Sequence, residues 1–143
     1  MDCLRGVAAV KSEVLDRVHS ADLRVYLVWL PMLGSDTRDA ALHSATLVPD
    51  GRSSHYWDSD MSLARSLGEA LRIPPRKQGA AGTGAAWDVY LAYPRGVTWT
   101  TAPPSTFWMH QLRQVTDGRA PQLDGAALRS HVEALLAPAP ATP

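Results

Sequence analysis

Hydrophobic and polar positions alternate along this chain in patterns that mark out its elements. From Leu23 to Leu30 the order Leu-Arg-Val-Tyr-Leu-Val-Trp-Leu is an almost unbroken apolar run, interrupted only by Arg24. A run of this length, closed by Pro31 and Gly34, predicts a strand buried on both faces. Pro31 cannot donate to a ladder and so sets the strand's end. Helical spacing flanks the run on both sides. A central strand with helices packed on it is the pattern of an α/β layer fold.

Before the strand, Val7, Val10, Val14, Leu15 and Val18 recur at helical spacing, with Arg5, Lys11, Glu13, Asp16 and Arg17 mostly opposite, which predicts an amphipathic helix over residues 4–18. After it, Ser35 or Asp36 is expected to cap a helix running to about Thr46. Pro49-Asp50-Gly51 signals a turn, and Ser53 to Trp57 is a short strand candidate. Asp58-Ser59-Asp60 is expected to cap a helix with Leu63, Leu67 and Leu71 on one side, stopping at Pro74-Pro75. The Gly/Ala-rich residues 78–86 predict a surface loop. Residues 86–93 predict a strand that turns at Pro94-Arg95-Gly96 into a return strand over residues 97–101. Residues 105–115 predict a short turn or helix. Asp124 is expected to cap the last helix, with Leu123 and Leu128 placed as a hydrophobic staple. Residues 1–137 are expected to form one domain, followed by a Pro/Ala-rich disordered tail over 138–143.

Composition narrows the functional classes. The 143 residues are 45% apolar and 20% charged, with 14 basic and 14 acidic side chains. No basic block offers a nucleic-acid footprint or a polybasic membrane patch, and no apolar run is long enough to span a bilayer. The start, Met1-Asp2-Cys3-Leu4-Arg5-Gly6, lacks the pattern of a signal peptide. A single cysteine excludes an internal disulfide and a Cys-based zinc site. These features predict a cytoplasmic protein with a free thiol, partnered by neither nucleic acid nor membrane.

Three stretches carry a resemblance to a known family: Cys3-Leu4-Arg5-Gly6 at the start of the first helix, Val28-Trp29-Leu30-Pro31-Met32-Leu33-Gly34 at the end of the central strand, and Trp87-Asp88-Val89-Tyr90 opening the hairpin. Over roughly residues 3–115 the chain resembles the thioredoxin-like superfamily, in a bacterial branch. The resemblance implies a three-layer α/β/α sandwich with a mixed sheet, whose first strand is missing here. It also implies thiol–disulfide exchange with protein or small-molecule thiols, with Cys3 taking part and no cofactor. Trp29 and Pro31 are secondary candidates at the strand end. If Cys3 is the second cysteine of a Cys-x-x-Cys motif, the first falls before Met1, and the start of the chain is incomplete; such a segment could direct the protein to the periplasm. If Cys3 is the attacking cysteine, the site is monothiol and Gly6 stands where a resolving cysteine would be. Ala85-Ala86-Trp87 occupies the place of the family's cis-proline.

The physical reason for choosing Cys3 is its place at a helix start, where backbone N–H groups and the helix dipole lower a thiol's pKa. His110, within Phe107-Trp108-Met109-His110, is a further candidate because its aromatic neighbours would desolvate it. The other histidines, His19, His43, His55 and His131, show no metal-site spacing. His55-Tyr56-Trp57-Asp58 is explained by a strand followed by a helix cap. The paired aspartates at 36/39 and 58/60 read as helix caps. There is no Gly-x-Ser-x-Gly elbow and no Gly-rich phosphate loop. The alternative function is a non-catalytic interaction module that uses the aromatic hairpin surface. An unpaired sheet edge would also support a homodimer.

Overall fold

A computed structural model describes residues 2–75, 84–98, 107–115 and 118–138, with the side chains of Asp2 and Cys3 outside the description. The elements in order are α1 (Asp2–Ala9), a π-helical continuation (Val10–Leu15), β1 (Val25–Trp29), α2 (Arg38–Ala45), β2 (Ser53–Trp57), α3 (Ser62–Ala70), β3 (Val89–Leu91), β4 (Trp108–His110) and α4 (Gly125–Leu136). The first helix forms as its valine spacing predicts. Its widened last turn, with the Asp16 N–H donating to the Lys11 carbonyl at 2.9 Å, leaves Val14, Leu15 and Val18 all buried.

β1 and β2 run parallel, with Val25 opposite Ser53 and Trp29 opposite Trp57, and α2 joins them as the crossover. β3 and β4 pair antiparallel, with Val89 opposite His110 and Leu91 opposite Trp108. The described strands thus form a small mixed α/β domain with two two-stranded sheets, where one mixed sheet was expected. β3 is held to three residues because Asp88 before it adopts a φ of 51°, outside strand geometry.

Three further expectations need correction. β1 is not buried on both faces: Val25 and Leu27 pack into the core, while Tyr26 between them is 64% exposed. Strand alternation produces this split, and Tyr26 hides it from a hydrophobicity reading because its ring counts as apolar while its hydroxyl tolerates water. The partner of β3 is Trp108–His110, a strand in the stretch expected to form a turn or helix. Residues 97 and 98 are not strand, and the rest of the expected return strand, at 99–101, lies outside the described residues. Finally, the end of the expected surface loop is core: Ala85 and Ala86 are 1% and 4% exposed. The Ala86 N–H donates to the Ala64 carbonyl of α3 at 2.8 Å. A β-carbon on Gly68 of α3 would run into the Gly84 carbonyl, so the small residues here permit close backbone packing. Residues 76–83 of that loop, and the tail beyond Pro138, lie outside the described residues.

The β3–β4 ribbon is covered on both faces. Val89, Leu91 and Trp108 pack with Leu67, Leu71 and Ile73 from the α3 side. Tyr90 and Met109, pointing the other way, pack with Val14, Leu15 and Val18 of the first helix and Leu128 of α4. The first and last helices are also tied together by Arg129, whose Nη1 donates to Glu13 at 2.7 Å. α4 opens as expected, with the Asp124 carboxylate accepting from the Ala127 N–H at 2.9 Å. α2 is capped by Thr37, one residue past the expected Asp36, whose carboxylate instead accepts from the Leu33 N–H.

Two contacts link the segments that flank β1 with those that flank β3. Asp22, before β1, pairs with Arg95, after β3, at 2.9 Å. Leu30 and Met32, after β1, pack on the cluster of Met61, Ala64 and Ala85, the last of which precedes β3.

Candidate functional site

Cys3 stands in the first turn of α1, as expected. The N–H groups of a helix's first turn have no intrahelical acceptor and concentrate positive potential there. One turn on, Gly6 is buried, and a β-carbon added to it would meet the Tyr90 hydroxyl and the Gln111 Oε1. Those two atoms are themselves hydrogen-bonded, Tyr90 donating to Gln111 at 2.6 Å. A side chain at position 6 would therefore displace the ends of Tyr90 and Gln111 and break the bond between them. The start of α1 is pressed against β3 and the segment after β4.

Trp29 closes β1. Its indole N–H donates to Nδ1 of His55 at 3.2 Å, with the two ring planes 9° from parallel. This bond makes His55 Nδ1 an acceptor, so its proton sits on Nε2. The parallel register that sets Leu27 opposite His55 brings the pair onto one face. Sequence reasoning passed over His55 because its partner becomes visible only once the strands are paired. Pro31 sits at the centre of a three-residue turn in which the Met32 N–H donates to the Leu30 carbonyl at 3.0 Å. It ends β1 and sends Leu30 and Met32 into the cluster with Met61 and Ala64.

His110 is buried and hydrogen-bonded within the fold. It is 1% exposed; its Nδ1 accepts from the Leu112 N–H at 3.1 Å and its Nε2 lies 3.2 Å from the Ala120 carbonyl. With Nδ1 accepting, Nε2 carries the proton and donates to Ala120. Gln122 Nε2 lies 3.3 Å from the same Nδ1. The ring thus links β4 to the segment leading into α4. Among the described residues no hydrogen bond or ring contact joins His110 to Trp29 or Pro31. The aromatic neighbours that drew attention to His110 serve to bury it: Trp108 lies 5.4 Å from its ring centre.

Several ionisable groups elsewhere have structural roles. Arg52 holds the Asp50 carboxyl down at about 2, through hydrogen bonds from its side chain and its backbone N–H. The same guanidinium donates to the carbonyls of Leu15 and Val18, capping the end of the first helix. Hydrogen bonds from Ser62 lower the Asp60 pKa at the start of α3, and burial raises the Tyr93 pKa to about 12. The Asp58 carboxylate accepts from the N–H groups of Ser62 and Ala64, confirming the expected cap. Among the described residues no group of three or more His, Cys, Asp or Glu is placed to hold a metal ion, and no helix is long and apolar enough to cross a membrane. Compared with protein-family models, curated proteins and solved structures, the chain finds no match.

Proposed function

We propose that this chain is a thioredoxin-like domain whose Cys3 acts as a monothiol in thiol–disulfide exchange. The observation that carries the reading is the packing of Gly6 under Tyr90 and Gln111, which fixes the helix start bearing Cys3 against β3. The succession of helices and strands from α1 onward supports it, as do the parallel β1–β2 pair and the antiparallel β3–β4 pair. In the reaction, the Cys3 thiolate attacks one sulfur of a disulfide, forms a mixed disulfide with it and expels the other sulfur as a thiolate. A second external thiol, such as glutathione, then attacks the mixed disulfide and regenerates Cys3. The test is intact-mass analysis after exposure of the folded protein to a limiting small disulfide. The expected result is rapid formation of one mixed disulfide, faster than in the denatured chain and absent from Cys3→Ser. Equal rates in the folded and denatured chains would overturn the reading.

A second reading, an interaction module, is favoured by one observation. Tyr26 and Tyr56 lie on the outer face of the β1–β2 pair, 64% and 54% exposed, with ring centres 6.2 Å apart. On the expected hairpin over residues 86–101, Trp87, Tyr90 and Tyr93 are half-buried, and residues 99–101 lie outside the described residues. Parallel strands ordinarily have both faces covered. On this reading the face is covered by a second copy of the chain. Sedimentation should then show concentration-dependent dimers that are lost when Tyr26 and Tyr56 are both changed to serine. A monomer at every concentration would exclude this pairing.

A further inference from the structure

The polar interruption of the first strand's apolar run, Arg24, lines a cavity of about 430 Å³ together with His19, Ser20, Ala21, Gly51 and Arg52. The cavity lies where the turn leading into β1 meets the turn leading into β2, at the far end of the first helix from Cys3. No carboxylate is among its lining residues.

The two arginines are held in different ways. Arg52 is committed to structure: Nε and Nη2 donate to the two Asp50 carboxylate oxygens, and Nη1 and Nη2 donate to the carbonyls of Val18 and Leu15. By capping those carbonyls it offsets the negative end of the first helix, which would otherwise repel an anion. Arg24 is anchored at one nitrogen only. Its Nη1 donates to the carbonyls of Ala21 and Leu23 at 2.6 and 2.7 Å. Among the described residues, its Nε and Nη2 hydrogens have no acceptor. These two groups form the side-by-side N–H edge that binds two oxygens of a phosphate or carboxylate at once.

The neighbouring carboxylates do not compete for it. Asp50 is engaged by Arg52, and Asp22 pairs with Arg95 at 2.9 Å. The His19 ring adds a hydrogen-bonding group without a protein partner among the described residues.

We propose that this cavity binds the oxyanion group of a small molecule, a phosphate monoester or free phosphate, with Arg24 as its bidentate anchor. The volume lies within the range of small-ligand sites, about 300–1,000 Å³, so the cavity can take more than the anionic group alone. The inference is independent of Cys3.

The experiment is a titration of the full chain with inorganic phosphate at constant ionic strength, with chloride as the balancing anion, followed by the backbone amide resonances. Saturable shifts confined to Ser20, Ala21, Gly51 and their neighbours are expected, with affinity about ten- to a hundredfold weaker in Arg24→Gln, the loss expected for hydrogen bonds to a charged group. Arg24→Lys keeps the charge but not the paired N–H edge, and serves if Arg24→Gln fails to fold; it should also bind at least several-fold more weakly. Repeating the titration with glycerol phosphate tests whether the rest of the cavity adds affinity for an ester. Shifts that do not saturate, or wild-type affinity in either folded variant, would overturn the proposal.

Discussion

The Cα of Gly68 in α3 faces the backbone carbonyl of Gly84 so closely that a β-carbon cannot fit between them. This contact joins a helix to the strand-entry segment of the second sheet, and it reverses an ordinary expectation. In an isolated helix, Gly→Ala is worth about 1 kcal/mol of added stability. Here Gly68→Ala is expected to cost about 1–3 kcal/mol, the usual penalty of overpacking. Urea unfolding checks it: the midpoint should fall with the slope unchanged. A gain in stability would mean that residues 84–86 do not lie against α3.

Replacing His110 with phenylalanine keeps an aromatic of similar size but leaves the Leu112 N–H and the Ala120 carbonyl without the bonds His110 makes. The expected loss is about 2–4 kcal/mol, from two buried polar groups left unsatisfied. Denaturant unfolding measures it directly. A histidine kept for catalysis alone would show unchanged stability.

Stability should decline at both ends of the pH range. The Asp50 carboxyl sits at about 2 in the fold, against about 3.9 in an unfolded chain. On acidification the unfolded chain takes up that proton first, so the contribution is complete above about 4 and is lost as pH falls toward 2. Asp50→Asn should flatten this acid limb. Tyr93 behaves in the opposite sense: its pKa is raised to about 12. The unfolded chain loses the phenolic proton first, near 10, so stability falls between about 10 and 12. Tyr93→Phe should flatten that alkaline limb, which denaturant unfolding at a series of pH values measures.

The ion pair between Asp22 and Arg95, with exposures of 62% and 83%, spans 73 positions in sequence but contributes little on its own. Arg95→Ala should change stability by no more than about 1 kcal/mol. Charge reversal at both positions should restore any loss, which a double-mutant cycle by thermal unfolding would detect.

The sequence made the helical parts of this fold readable because their signals are local. Asp58 and Asp124 cap helices where their spacing before apolar runs places them, and Leu67, Leu71 and Leu128 are buried as their periodicity predicts. The strand partners were harder to read, because pairing depends on residues far apart. Nothing near Val89 indicates that its partner is His110, and the turn at Gly96 pointed to the nearer segment instead. Glycine and alanine at 84–86 gave the composition of a loop, although they are selected by the narrow space beside Gly68. Of the candidate residues, Cys3 and Pro31 take the local positions expected. The bond from Trp29 to His55 and the gathering of Arg24 with Arg52 follow from the parallel register, which local spacing does not encode.

Thiol exchange turns on Cys3, and its most direct measurement is the rate of Cys3 alkylation against pH in the folded and urea-unfolded protein. The predicted result is a folded-state thiol pKa well below the free-cysteine value of about 8.5, returning to that value on unfolding. A pKa of about 8.5 in both states would contradict the thiol-exchange role and leave the exposed tyrosine face as the basis of function.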